Sequence, residues 1–186
     1  MATITVGPSG RDYTTINAAL AAANDSPANR AAMDIISVDA GTYTEALDAR
    51  PGAGWIKPVI IRAADPTNRP VIASTGAAQA LRADRVGNVE LTLEDLVFSG
   101  WTAASNGVIY TPVEGIVIRR CHFVGNTGRR VLRWIGGTAT RFGLVDSCTF
   151  ETSGSTGSGE QGIILTWTVY AIVKNCKAVC PTNVQF

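Results

Sequence analysis

At 186 residues the chain can fold as one domain and bury about two-thirds of its unfolded surface. Sixteen Lys and Arg stand against 15 Asp and Glu, a formal charge of +1 that argues against wholesale nucleic-acid binding. The 19 glycines suit a turn-rich β architecture, and no apolar run approaches the ~20 residues of a membrane-spanning helix.

Met1-Ala-Thr-Ile-Thr-Val6 leads into strand-like sequence without the charged n-region or cleavage site of a secretory leader. The expectation is a chain made and assembled in a cytoplasm. Thr3–Val6 reads as a strand and Gly7–Gly10 as a turn. The period then changes. Ile16, Ala19, Leu20 and Ala23 fall at i, i+3, i+4 and i+7, which predicts a helix within residues 12–23, with Asp12 or Thr14 as N-cap. Its small apolar stripe suits a lid laid over the open end of a solenoid. Asn24–Asn29 is polar and reads as a linker.

Further along, Asp34–Val38, Lys57–Ala63 and Val71–Ala73 read as strands, with a Pro/Asn-rich turn over 64–70. From Val89 to Cys180 one short phrase is written four times. The copies are Leu93-Glu-Asp-Leu-Val-Phe98, Ile118-Arg-Arg-Cys-His-Phe123, Val145-Asp-Ser-Cys-Thr-Phe150 and Val173-Lys-Asn-Cys-Lys-Ala178, spaced by 25, 27 and 28 residues. A repeat of that length is one supersecondary unit stacked on its neighbours to share a core. Position one is aliphatic, positions four and six are apolar, and position five is variable, the alternation of a strand with one side in and one side out. Position three (Asp95, Arg120, Ser147, Asn175) breaks the alternation and suits a bend between two short strands. Each phrase is followed by a loop and a second apolar strand: Gly107–Tyr110, Val131–Ile135 and Gly162–Leu165. The implied fold is all-β: a single-domain parallel β-helix over 1–186, capped by the helix, with its coils over 34–180.

Three of the four cysteines (Cys121, Cys148, Cys176) fall in one column of the repeat, as small apolar wedges inside the coil. A disulfide and a metal site are the other readings. Cys176-x3-Cys180 with one histidine elsewhere is poor spacing for metal, and neither a metal nor a cofactor is expected.

The segments Thr3–Ala23, Asp34–Leu47 and Lys57–Ala64 together resemble the opening coils of the pectin lyase-like superfamily. The likeness is to its pectinesterase-type members and to phage virion proteins with the same start. It implies a right-handed parallel β-helix. Pectinesterase-like catalysis would need QDT, DFIFG and LGRPW phrases. Val124-Gly-Asn-Thr-Gly-Arg-Arg130 and Trp134-Ile-Gly-Gly137 stand in their place without the aspartates. The NxD, DD and GHG of a galacturonan hydrolase are absent, as are the carboxylate cluster and RxPxxR of a lyase. Glu94/Asp95 and Asp146/Glu151 are the remaining acids that stacking could bring to one face, as glycoside hydrolysis requires. His122 is expected to point outward beside Arg120, an ordinary surface position by default.

One charge feature stands out. Residues 119–141 hold Arg119, Arg120, Arg129, Arg130, Arg133 and Arg141, with Trp134 among them and no Asp or Glu. It is either a solvated basic face or a contact surface for an acidic protein, since Arg and Trp anchor interfaces. An anionic polysaccharide is the third reading, with nucleic acid an unlikely variant of it. The expected function is that of a non-catalytic virion structural protein assembled in the host cytoplasm, a phage capsid decoration protein or a small fibre or spike module. The alternative is a polysaccharide-processing or carbohydrate-binding β-helix. The expected partners are a capsid or other virion protein and copies of the chain itself, a trimer being favoured, because a solenoid exposes core and strand edges wherever it is uncapped.

Overall fold

The structure is a computed structural model, and it describes residues 2–24, 33–49, 58–76, 79–82, 91–102, 108–111, 116–126, 130–135, 143–152, 161–166 and 171–179. The chain opens with β1 (Thr3–Val6) and α1 (Ile16–Asn24), followed by β2 (Asp34–Val38), β3 (Thr42–Thr44) and β4 (Leu47–Asp48). The next coil holds β5 (Val59–Ala63), β6 (Val71–Ala73) and β7 (Leu81–Arg82), and the one after it β8 (Leu91–Glu94), β9 (Val97–Ser99) and β10 (Ile109–Thr111). The remainder repeats the pattern: β11 (Ile116–Arg119), β12 (His122–Asn126), β13 (Arg130–Ile135), β14 (Gly143–Asp146), β15 (Thr149–Thr152), β16 (Gln161–Thr166), β17 (Ala171–Lys174) and β18 (Lys177–Val179).

From β2 onward every third strand pairs. The first sheet runs β1-β2-β5-β8-β11-β14-β17, the second β3-β6-β9-β12-β15-β18 and the third β4-β7-β10-β13-β16. The ladders within them are all parallel. This is a parallel β-helix with three faces, as the repeat predicts.

The register turns the repeated phrase into columns. Position one extends to Ile4, Ile36, Ile61, Leu93, Ile118, Val145 and Val173, paired rung to rung in the first sheet. Position six becomes Tyr43, Ile72, Phe98, Phe123, Phe150 and Ala178 in the second. Phe98, Phe123 and Phe150 stack with ring centroids 5.1 and 5.0 Å apart and interplanar angles of 11° and 4°. Parallel strands about 4.8 Å apart impose that spacing on any in-register aromatic column. Leu96, Cys121 and Cys148 fill the corner beside the rings, all buried, and Cys176 is half-buried in line with them. The three cysteines are free thiols, and Cys121 and Cys148 donate weakly to carbonyls of the preceding coil (Sγ to Leu93 O 3.7 Å and to Ile118 O 3.6 Å). Burial pushes the Cys148 thiol up to about 12 and raises Cys121 as well, so both stay protonated.

The bend at position three is sharp. Asp95, Arg120, Ser147 and Asn175 all take left-handed backbone angles, with φ of 57°, 50°, 56° and 54°. Each such residue costs roughly 1–2 kcal/mol without glycine's freedom. The bend nonetheless keeps the ladder going. Asp95 N donates to Arg119 O (3.1 Å), Arg120 N to Asp146 O (2.9 Å) and Ser147 N to Lys174 O (3.1 Å).

Trp101 lies fully buried, its Nε1 donating to Ile72 O at 3.0 Å. Buried Asn126 holds the same corner, accepting from Trp101 N (2.9 Å) and donating to Phe98 O (3.1 Å), so both polar groups are satisfied inside the core.

The cap differs in detail from the expectation. The helix starts at Ile16, and Thr15 is its N-cap, its hydroxyl accepting from Ala18 N at 3.2 Å. Asp12 is occupied elsewhere, its carboxylate accepting from Thr5 N and Thr5 Oγ1, both at 2.8 Å. The remaining cap comes from another coil: Glu45 accepts from Ile16 N (2.8 Å) and Asn17 N (3.0 Å). Ile16, Ala19, Leu20 and Ala23 are buried, as the stripe predicts. Of the predicted linker only Asn24 lies within the described residues.

Candidate functional site: the charged edge of the first sheet

Position two of the phrase, one residue before each bend, faces outward on the first sheet. In register it reads Arg62, Glu94, Arg119, Asp146, Lys174, alternating in sign at every rung. A strand's period of two sends these side chains to the face opposite the aliphatic column, and the coil repeat sets them one strand spacing apart. Arg119 NH1 lies 3.3 Å from Glu94 Oε1, and Lys174 Nζ 3.3 Å from Asp146 Oδ2. The bend residues form a second row. Asp95 takes both Arg120 Nε (2.9 Å) and NH2 (2.8 Å), with Arg69 NH2 at 3.7 Å on its other side. Arg120 NH2 is also 3.7 Å from Glu94 Oε2.

These contacts set the charge states. The hydrogen bonds it donates to Asp95, together with the charge of that carboxylate, hold the Arg120 guanidinium above its ordinary value. Asn175 Nδ2 and Ser147 Oγ each donate to Asp146 Oδ1 at 3.0 Å, and with Lys174 they hold the Asp146 carboxyl below the usual carboxylate range. A general acid working near neutral pH needs the opposite shift. What this edge does chemically is fix one coil to the next.

The sequence-predicted residues divide between two faces. Arg119 and Arg120 belong to the paired edge. Arg130, Arg133 and Trp134 lie on β13 in the third sheet, where Arg133 pairs with Tyr110 and Ile164, and Trp134 with Thr111 and Leu165. Arg129 and Arg141 lie outside the described residues. The candidate acids also separate. Glu94 and Asp146 share one column with Arg119 between them, while Glu151 sits on β15 in the second sheet. His122 points outward there, as alternation predicts, with Nε2 3.2 Å from Glu151 Oε1. That nitrogen is buried but off the line of an aligned hydrogen bond, so the contact is a close approach rather than a bond. Arg62, Arg69 and Lys174 were missed as partners of the edge. The signal for Lys174 was present, since position two of the four copies reads Glu, Arg, Asp, Lys.

The described residues line two open grooves among others. One, of about 260 Å³, lies between Thr14–Thr15 and Gly41–Glu45, and another, of about 150 Å³, lies where Met33 and Pro58–Ile60 meet Glu94 and Arg119. Among the described residues no three His, Cys, Asp or Glu side chains converge as metal ligands. No described helix is long and apolar enough to cross a membrane.

No family model matches the sequence, and no curated protein matches it. Among solved structures the chain is similar to the pectin methylesterase from Aspergillus niger in its deglycosylated form, with a TM-score of 0.46 and 18% identity, over 94% of this chain and 75% of that one. The chain is a parallel β-helix. The three parallel sheets identify that fold on their own.

Proposed function

We propose that the chain is a non-catalytic structural module of a virion, a capsid decoration protein or a small fibre or spike element assembled in the host cytoplasm. One observation carries the non-catalytic half of this reading: the outward acids of the first sheet are paired with cations of adjacent coils. Glu94 and Asp95 are held by Arg119 and Arg120, and Asp146 by Lys174 and Asn175. Carboxylates paired to cations of the next coil brace a rod, whereas hydrolysis of a glycoside needs one acid kept protonated beside another. The virion half rests on the resemblance of the opening coils to phage proteins and on the missing catalytic phrases. The attachment surface we propose is the part of the basic run on β13, Arg130, Arg133 and Trp134, facing an acidic protein or a sister subunit.

Co-sedimentation of the purified protein with capsids at a fixed stoichiometry is the test. The pair Arg130→Glu and Arg133→Glu should weaken that association with folding intact, and normal binding of the double variant in low and high salt would remove the surface. A second reading is a carbohydrate-active module, favoured by the outward His122 and Glu151 on adjacent coils. Reproducible cleavage of pectin, alginate or a capsular polysaccharide, lost in Glu151→Gln, would replace the structural reading.

A further inference from the structure

We propose that the groove between the N-terminal cap and the free edge of β3 binds one ring of a neutral sugar, held by the backbone and hydroxyls of Thr42 and Thr44. The inference rests on neither reading of the function, and the groove lies three strands from β12 and its His122 along the second sheet.

β3 ends the second sheet, with β6 as its neighbour on one side. Val71 N donates to Gly41 O at 2.8 Å while Thr42 stands opposite Val71, which fixes the phase of this parallel ladder. Gly41 and Tyr43 direct their backbone groups at β6. Those of Thr42 and Thr44 turn to the other side, a donor and an acceptor at each, roughly 6.6 Å apart. The cap does not take them up. Gly7 N donates to Tyr13 O (3.0 Å) and Tyr13 N to Thr5 O (3.1 Å), and α1 packs over β1, β2 and β4. Among the described residues the hydroxyls of Thr14, Thr42 and Thr44 bond to no protein group either. The groove of about 260 Å³ is therefore lined by hydrogen-bonding groups that the fold itself leaves open.

The lining says which ligand chemistry suits it. Its one charged side chain is Glu45, whose oxygens already accept from the start of α1, Oε1 from Ile16 N and Oε2 from Asn17 N. No Lys, Arg or His lines the groove, and nearby Arg11 is paired with Asp39. An anion would meet a carboxylate with no cation to hold it, and a cation would find no second acid. An apolar ligand would cover hydroxyls and backbone groups without giving them partners. A sugar ring offers both a donor and an acceptor at every hydroxyl. It also has C–H faces, and the groove has a place for them. A Cβ on Gly41 would lie 3.7 Å from Tyr43 Cε2, so glycine there leaves the ring edge bare, and the Tyr43 hydroxyl anchors the ring by donating to Asp39 O at 3.0 Å. Pro8 is a second apolar wall. The volume sits just below the ~300 Å³ at which pockets for drug-sized molecules begin, which suits one ring rather than a chain.

The test titrates the isotope-labelled full chain with the methyl glycosides of glucose, galactose, mannose and N-acetylglucosamine, followed by amide NMR shifts. At least one should bind with a dissociation constant of about 1 mM, the usual scale for a ligand of about a dozen atoms. The shifted amides should be those of Thr14, Thr15 and Gly41 to Glu45. Thr42→Val and Thr44→Val keep the branched shape and lose the hydroxyl, and each should weaken binding about fivefold, what one hydrogen bond supplies. Thr44→Arg should abolish it by filling the groove. Circular dichroism of the three variants checks that they fold. Failure of all four glycosides to shift these amides overturns the proposal. So does a methyl uronate that binds as tightly as the best neutral sugar, or binding that survives both valine substitutions together. An end-blocked tripeptide that shifts the same amides where no sugar does would make the groove a peptide site and overturn it as well.

Discussion

The Asp95 carboxylate and the Arg120 guanidinium meet in a two-bonded fork, 2.9 and 2.8 Å, between residues that occupy the same left-handed bend on successive coils. The side chain of Asp95 is 8% exposed and that of Arg120 is 47% exposed, so the acid is the member that depends on the pair. The position thus combines a backbone penalty with a side-chain gain, and the two can be separated by substitution.

Arg120→Ala keeps the penalty and loses the gain, leaving Asp95 with Arg69 at 3.7 Å as its remaining cation. It should lower stability by about 1–3 kcal/mol, the usual consequence of stranding a largely buried charged group. Arg120→Gly loses the same fork but relaxes the left-handed bend, so it should be about 1 kcal/mol more stable than the alanine variant. Denaturant melts of the two proteins decide the point. Equal stability would mean that φ of 50° carries no cost here.

The ring column makes a second prediction. Phe123 stacks on both Phe98 and Phe150 and is fully buried, whereas Phe150 has one ring neighbour. Phe123→Ala should cost about 3–5 kcal/mol and Phe150→Ala less, since the surroundings of an interior ring collapse least into the void. Equilibrium unfolding followed through buried Trp101 would report it, and the reverse order would remove the special place of the middle ring.

Much of this architecture was legible because a solenoid writes its core into the sequence at a fixed interval. Cys121 and Cys148, and Phe123 and Phe150, are one column each because their spacing equals one coil. What escaped notice was set by contacts between coils rather than by local pattern. The helix begins at Ile16 because Glu45, 29 residues away, accepts its first N–H, while the local candidate Asp12 turns back to Thr5. β3 and β4 are three and two residues long, too short for a period to show, and the ladders above them define them. The basic run appears continuous along the chain, yet β12 of the second sheet separates its parts, with Arg119 on β11 of the first sheet and Arg130 and Arg133 on β13 of the third. Arg119 and Arg120 find their acids, Glu94 and Asp95, one coil back.

Acid pH should loosen the fold. Asp146 is held below its ordinary value by Asn175, Ser147 and Lys174, Asp12 by the two hydrogen bonds from Thr5, and Asp65 by the hydroxyl and N–H of Thr67. A carboxyl whose folded value is depressed binds protons less readily when folded than when unfolded. Its stabilisation is therefore complete above the ordinary value of 3.8 and is lost as the pH falls through the lower folded value. Melting temperature should be flat with respect to these groups above about pH 5 and fall below about pH 4. Asp146→Asn should flatten that fall. An unchanged acid limb in the variant would show that Asp146 is not among the groups responsible.

The thiol column leads to the opposite end of the pH scale. Burial is the first cause of the rise in Cys121 and Cys148, so the folded state holds their protons more tightly than the unfolded chain, whose thiols ionise near 9.0. A group with a raised folded value contributes nothing adverse below the unfolded value and disfavours folding progressively as the pH rises from there toward about 12 for Cys148. Stability should accordingly decline above about pH 9, and Cys148→Ala should trade a packing loss at neutral pH for a shallower alkaline limb. Because the thiolate is the reactive form, the same protection predicts labelling order. With iodoacetamide at pH 8, mapped by peptide mass, Cys176, which is half-buried at the β17–β18 edge, should be modified well before Cys121 and Cys148. Unfolding in guanidinium should level the three rates. Rapid labelling of Cys121 in the native protein would mean that the coils open around the corner column, and that the core is looser there than its packing implies.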